Sequence, residues 1–80
     1  MYFVYAIKSR NNPDKIYIGS TIDVEQRLSE HNSGKSTYTA KFKPWVLIGF
    51  TSFYDKSKAA AFEKYLKTCA GKAFAQKRLW

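Results

Sequence analysis

The chain opens on a run of aromatic and β-branched residues, Tyr2 to Lys8 (YFVYAIK), with no breaker inside it, which predicts a strand. Turn formers follow in Ser9 to Asp14 (SRNNPD), and Lys15 to Thr21 (KIYIGST) predicts a second strand. The opening therefore reads as an antiparallel hairpin with a loose loop. Side chains alternate between the two faces of a strand, so Phe3, Tyr5 and Ile7 share one side while Tyr17 and Gly19 share one side of the partner. The two tyrosines are expected to meet on one sheet face. Asp23 is a good N-cap, with Gln26 three residues on in near capping-box spacing, and the helix it opens runs DVEQRLSEHN until Gly34 stops it. Val24, Leu28 and His31 fall on one stripe of that helix, and Arg27 and His31, four apart, are surface neighbours.

Beyond the helix, Ser33 to Lys43 (SGKSTYTAKFK) is polar and rich in Gly, Ser and Thr, which predicts a basic loop. Pro44 begins PWVLIGFTSF, a third strand whose continuous apolar run predicts burial on both faces. Asp55 or Ser57 caps a second helix, KAAAFEKYLKTCA, with Ala59, Phe62, Leu66 and Cys69 as its inward stripe and Gly71 as its C′ stop. A short last helix, from Lys72 to Leu79, is expected to set Phe74 and Leu79 against the body with its lysines outward. The order β-β-α-β-α-α predicts an α+β fold, a small and mainly antiparallel three-stranded sheet flanked by helices. Its 80 residues suit a single domain spanning 1–80.

Composition narrows the partners. Fourteen Lys and Arg stand against six Asp and Glu, a net charge of +8, and the excess is uneven. Between His31 and Tyr54 there is no acid while Lys35, Lys41 and Lys43 accumulate, and after Glu63 come Lys64, Lys67, Lys72, Lys77 and Arg78. Such a field favours a polyanion, although lysines also serve simply to keep a small protein in solution. No segment pairs a basic face with a broad apolar one, which argues against a membrane surface. No apolar run approaches the length of a membrane span, and Lys8 and Arg10 interrupt the stretch a signal peptide would need. A lone cysteine, Cys69, allows no intrachain disulfide and no Cys-cluster zinc site. A cytoplasmic protein is expected.

With one histidine, one cysteine and six acids, most catalytic constellations fall to counting. There is no G-x-S-x-G context for a Ser-His-Asp arrangement, the glycines are too isolated to cradle a phosphate, and Cys69 lies on an apolar stripe. What remains is a series: Phe3-Val4-Tyr5, then Tyr17-Ile18-Gly19, Ser20-Thr21, Asp23, Arg27-Leu28, His31-Asn32, and Glu63 on a later helix. In order and spacing it resembles the GIY-YIG, or URI-domain, endonuclease superfamily over nearly the whole chain. The tail FEKYLKTCAGKAFAQKRL and the middle residues Tyr38-Thr39 and Lys43-Pro44-Trp45 look like the small stand-alone bacterial members, related to the N-terminal catalytic domain of the excision-repair nuclease. Phe3 and Val4 stand where the family name has Gly and Ile, and no asparagine follows Asn32, so the work of the amide that several members carry beyond the glutamate falls to Gln76 or is not done at all.

The resemblance implies a catalytic group of Tyr5, Tyr17, Arg27 and His31, with Glu63 as the side-chain ligand of one divalent metal, Mg²⁺ or Mn²⁺. The chemistry of these residue types agrees. Phosphodiester hydrolysis needs a nucleophilic water, a group to take its proton, and neutralisation of the charge growing on the phosphate. A single carboxylate suits a hard cation that keeps several waters, Arg27 offers a planar fork to phosphate, and His31 is the better intrinsic base beside two phenols. Gly19 is expected to serve through its bare backbone, letting the nearby helix or the phosphate come close. Lys35, Tyr38, Lys41, Lys43, Lys67 and Lys72 are the candidate nucleic-acid contacts. The leading expectation is a DNA endonuclease or nickase of low sequence specificity, in repair or processing, with RNA also open and a protein partner supplying specificity. The alternative is a non-catalytic nucleic-acid-binding module in which Tyr38, Phe42 or Trp45 stacks on bases.

Overall fold

The computed structural model describes residues 1–78. Its centre is strand β1 (Tyr2–Ser9), flanked by β2 (Ile16–Thr21) and β3 (Trp45–Phe53) in the order β2-β1-β3, with both pairings antiparallel. Helix α1 (Val24–Ser33) and a single turn, α2 (Thr37–Ala40), cover one face; α3 (Lys56–Leu66) and α4 (Cys69–Arg78) cover the other. The sheet therefore divides the core in two. Tyr5, Ile7 and Trp45 pack with Tyr17, Val24, Leu28 and Phe42 on the α1 side. Val4, Ala6 and Ile18 pack with Ala59, Leu66 and Ala75 on the α3 side. The predicted α+β class and antiparallel three-stranded sheet hold, and no helix among the described residues is long and apolar enough to cross a membrane.

The local signals behave as expected. Asp23 accepts a hydrogen bond from the Gln26 amide at 3.1 Å, and Gly34, at φ 87°, closes α1. For α3 the capping side chain is Asp55, which accepts from the Ser57 amide at 2.8 Å.

Several expectations are corrected. The strand buried on both faces is β1, where Val4 to Ile7 are all buried, whereas β3 lies at an edge with Val46, Leu47 and Phe50 exposed. An apolar run records how much a strand can bury, and strand order decides how much it does. The β1–β3 register also slips between Ala6 and Ile7, whose partners are Gly49 and Leu47, leaving Ile48 as the extra residue. The supposed basic loop contains α2, a turn fixed from outside: the Trp45 indole N–H donates to the Thr39 carbonyl at 2.7 Å.

The second helix ends at Leu66 rather than at Gly71, and α4 starts at Cys69. Thr68 makes the break, donating to the Tyr65 carbonyl at 2.6 Å and accepting from the Gly71 amide at 3.0 Å. Gly71 is thus buried inside α4, where an added Cβ would sit 1.9 Å from the Tyr65 carbonyl oxygen, and its use is close helix approach. The phase change turns Cys69 out to solvent and makes Ala75 the buried residue, with Phe74 39% exposed. The packing expected of Leu79 lies outside the described residues.

Candidate active site

On the α1 side of the sheet the β1–β2 register sets Tyr5 opposite Gly19 and Ile7 opposite Tyr17. The Tyr5 side chain lies across Gly19, where a Cβ would come within 2.6 Å of the phenolic oxygen. Glycine thus opens a passage for the phenol, whose oxygen reaches His31 Nε2 at 2.8 Å. The close approach at Gly19 is thus made by the Tyr5 side chain of the neighbouring strand, in place of the expected helix or phosphate. His31, on the inward stripe of α1, is fully buried, and its Nδ1 lies 2.8 Å from the Thr39 hydroxyl. Tyr17 meets the His31 ring edge-on at 5.0 Å and the Tyr5 ring at 6.4 Å.

Arg27 shares that face of α1. It donates to Glu30 at 2.8 Å and stands close enough to Tyr5 to favour its phenolate. Burial nevertheless dominates and raises the Tyr5 pKa above 10.0. Burial, helped by the Arg27 charge, lowers that of His31. A neutral imidazole and a protonated phenol therefore face each other near pH 7.

Glu63 arrives from the other face. Ser20, opposite Val4 in the ladder, points toward α3 and donates to Glu63 Oε1 at 2.8 Å, while Lys67 donates to Oε2 at 2.9 Å. Burial opposes ionisation of this carboxyl, but the bonds from Lys67 and Ser20 together outweigh it and hold its pKa below the ordinary value. Because β2 is an edge strand, the carboxylate stands beside the strand that carries Tyr17 and Gly19, and its charge reaches Tyr5. Among the described residues no three His, Cys, Asp or Glu side chains gather to cage a metal. Glu63 does fit a hard divalent cation that keeps most of its waters: it is ionised, and Ser20 aims it.

Tyr5, Tyr17, Arg27, His31 and Gly19 therefore converge on one face, with Glu63 at the sheet edge. Of the basic set, Lys67 and Lys72 line a groove of about 210 Å³ along β2 together with Ile16, Tyr17, Ile18 and Tyr38. Tyr38 is 51% exposed and its ring lies 6.3 Å from that of Tyr17. Lys35, Lys41 and Lys43 are exposed, with the Lys43 ammonium beside the end of α1 at Gly34.

Trp45 is corrected. It is 2% exposed, with its indole bonded to Thr39 and its backbone bracketed by the Asn32 amide, so it offers no face to a base. Phe42 is partly buried in the core under the Lys15 ammonium. Gln76 lines a separate groove with Asp14, Ile16, Ile18 and Lys72, while Glu63 is bonded to Ser20 and Lys67.

Three site partners, Ser20, Asn32 and Thr39, stand in the motif series or the resemblance without a role assigned to them. Ser20 is within reach of the sequence pattern, because strand alternation puts it on the face of Val4 and Ile18. Asn32 and Thr39 act across the fold, on Trp45 and His31, and nothing in their neighbourhood along the chain announces it.

A three-stranded antiparallel sheet carrying paired tyrosines, with an Arg–His helix on one face and a glutamate helix on the other, defines a GIY-YIG catalytic domain. The family model of that name matches residues 1–77, and the chain belongs to the GIY-YIG family. It is 38% identical over 68 residues to a UPF0213 protein of Staphylococcus haemolyticus, covering 84% of this chain and 80% of that one. A UPF0213 protein of Vibrio campbellii is 43% identical over 65 residues, covering 80% of this chain and 61% of its own. The structure-specific endonuclease subunit SLX1 of Scheffersomyces stipitis is 36% identical over 75 residues, 85% of this chain but 22% of that protein.

Proposed function

We propose that the protein is a metal-dependent DNA endonuclease or nickase of low sequence specificity, working in repair or processing, with residues 1–80 acting as one cytoplasmic domain. The observation that carries this reading is Glu63, an ionised carboxylate held by Ser20 at the edge strand that carries Tyr17 and Gly19, with its charge felt at Tyr5, in a strongly basic chain. A pure binder gains nothing from an acid among phosphates. The relatives named as structure-specific endonuclease subunits support the same chemistry, and the word subunit supports a protein partner that supplies specificity.

The residues divide the work by accessibility. Tyr17 is the half-buried phenol, open enough to hold the attacking water, whereas Tyr5 is 2% exposed and acts through its hydrogen bond to His31. As Tyr5 takes up the proton of the attacking water it passes its own phenolic proton to Nε2 of neutral His31, so that the water becomes hydroxide, the phenol is unchanged and the imidazole ends protonated. Arg27, still charged when it contacts a phosphate, offsets the negative charge that grows there. Glu63 and Ser20 would hold the cation, which supplies Lewis-acid stabilisation of the departing oxygen. The β2 groove between Tyr38 and Lys72 takes the strand leading away from the site.

The deciding experiment incubates purified protein with labelled single-stranded, nicked, branched and duplex DNA and with single-stranded RNA, in Mg²⁺, Mn²⁺ or EDTA. Cleavage is expected only with metal. Glu63→Gln should reduce it by about 100-fold or more, the loss of several kcal/mol of charge stabilisation, while binding stays equal or tightens. Binding without cleavage under every condition would establish the binding module instead.

A further inference from the structure

We infer that Thr39 is the positioning residue that fixes the tautomer of His31 and thereby makes Tyr5 the proton donor in their hydrogen bond. The geometry is a chain. The Thr39 hydroxyl lies 2.8 Å from His31 Nδ1 and 3.4 Å from the Ser36 carbonyl, and His31 Nε2 lies 2.8 Å from the Tyr5 hydroxyl. A threonine hydroxyl has one hydrogen. Directed at Ser36, it leaves only lone pairs for His31, so Nδ1 carries the imidazole proton and Nε2 is the acceptor.

The other end of the chain agrees. The phenol is flanked by the Arg27 guanidinium, a donor only. If Nε2 also donated to it, the hydrogen of Tyr5 would have nowhere to go. The groups that face His31 are Tyr5 from β1, Tyr17 from β2, Arg27 and Glu30 from α1, and Thr39 from α2. Of these, Thr39 is the one that meets Nδ1. Its own position is fixed by the Trp45 indole on its carbonyl, and it is fully buried. Water therefore does not substitute for it.

His31 is the sole histidine of the chain, so ¹⁵N NMR of the imidazole reads the tautomer directly without any activity. In the native protein above pH 7.5, Nδ1 is expected to be protonated and Nε2 bare; a dominant Nε2–H form would overturn the inference. Thr39→Val removes the hydroxyl and keeps the shape, and should move His31 toward the Nε2–H form that free imidazole side chains prefer. Thr39→Ser should restore the native pattern, which separates the hydrogen-bonding role from the packing role. The kinetic arm rests on the nuclease reading: Thr39→Val should lower kcat by about 10- to 100-fold with KM within about twofold, in the range of other orienting partners, and Thr39→Ser should recover most of it. If the native protein shows the Nδ1–H form yet cleaves nothing, the nuclease reading fails and the role of Thr39 stands. Unchanged tautomer and rate in Thr39→Val would refute that role.

Discussion

Tyr5 and Gly19 face each other across one rung of the β1–β2 ladder, and the phenol occupies the space a side chain at 19 would fill. Gly19→Ala would place a Cβ 2.6 Å from the Tyr5 oxygen and 2.9 Å from its ring carbon, so the ring must shift and its bond to His31 breaks. Single-turnover cleavage is expected to fall about 10- to 100-fold, with thermal melts showing about 1–3 kcal/mol of overpacking strain. Unchanged turnover would mean that the Tyr5–His31 bond is dispensable. His31 itself carries a pH signature. Burial depresses its folded pKa below the ordinary 6.5, so just below that pH the unfolded chain takes up a proton that the folded one refuses. Stability should therefore decline as pH falls from about 6.5, with a limiting slope of about 1.4 kcal/mol per pH unit. A His31→Gln variant should lack this slope over the same window, as read from melting temperature against pH.

At the scale of elements, α3 and α4 touch through a glycine. A Cβ at position 71 would meet Tyr65 backbone atoms at 1.9 and 2.6 Å, and backbone cannot swing aside. Gly71→Ala is expected to cost about 3 kcal/mol in urea unfolding. A helix-stop glycine would cost only about 1 kcal/mol, so the measurement also tells the two roles apart. The same helix pair shows what the chain discloses by itself. The hairpin, the Asp23 cap, the Gly34 stop and the meeting of Tyr5 with Tyr17 are legible because strand alternation and capping act over a few residues. The break at Thr68, the edge position of β3 and the turn at Thr37–Ala40 are not, because each is decided by a distant element. The candidate site side chains are legible through spacing and family resemblance. Thr39 is joined to His31 only by the fold, whereas strand alternation already sets Ser20 on the face that meets Glu63.

For the whole molecule the +8 charge is the governing quantity. Two of the six acids are spoken for locally, Glu30 by Arg27 and Glu63 by Lys67, so Lys72 beside the β2 groove and the Lys35 to Lys43 segment present little-opposed charge. Replacing Lys41 and Lys43 by Ala should weaken binding alike for all sequences. It should also flatten the logarithmic salt dependence on duplex DNA by up to about 2 units, one for each phosphate that is no longer neutralised. The Lys8 and Arg10 pair serves as the control with little expected change, measured by anisotropy titrations across a salt series. Equal weakening in both double variants would replace the proposed track by a diffuse field.

The strand at the middle of the sheet is also the earliest of the three to be synthesised, and this shapes how the protein comes into being. On the ribosome the partner of β1 in the hairpin follows within a few residues, but its other edge waits for Trp45 to Phe53, a delay on the order of seconds at ordinary translation speeds. During it Val4, Ala6 and Ile7, all buried in the finished molecule, line an unpaired apolar edge of the kind that recruits other nascent chains. Soluble yield is therefore expected to follow how promptly β3 is delivered. Slow codons placed between the two strands should lower it while leaving the stability of the folded product untouched.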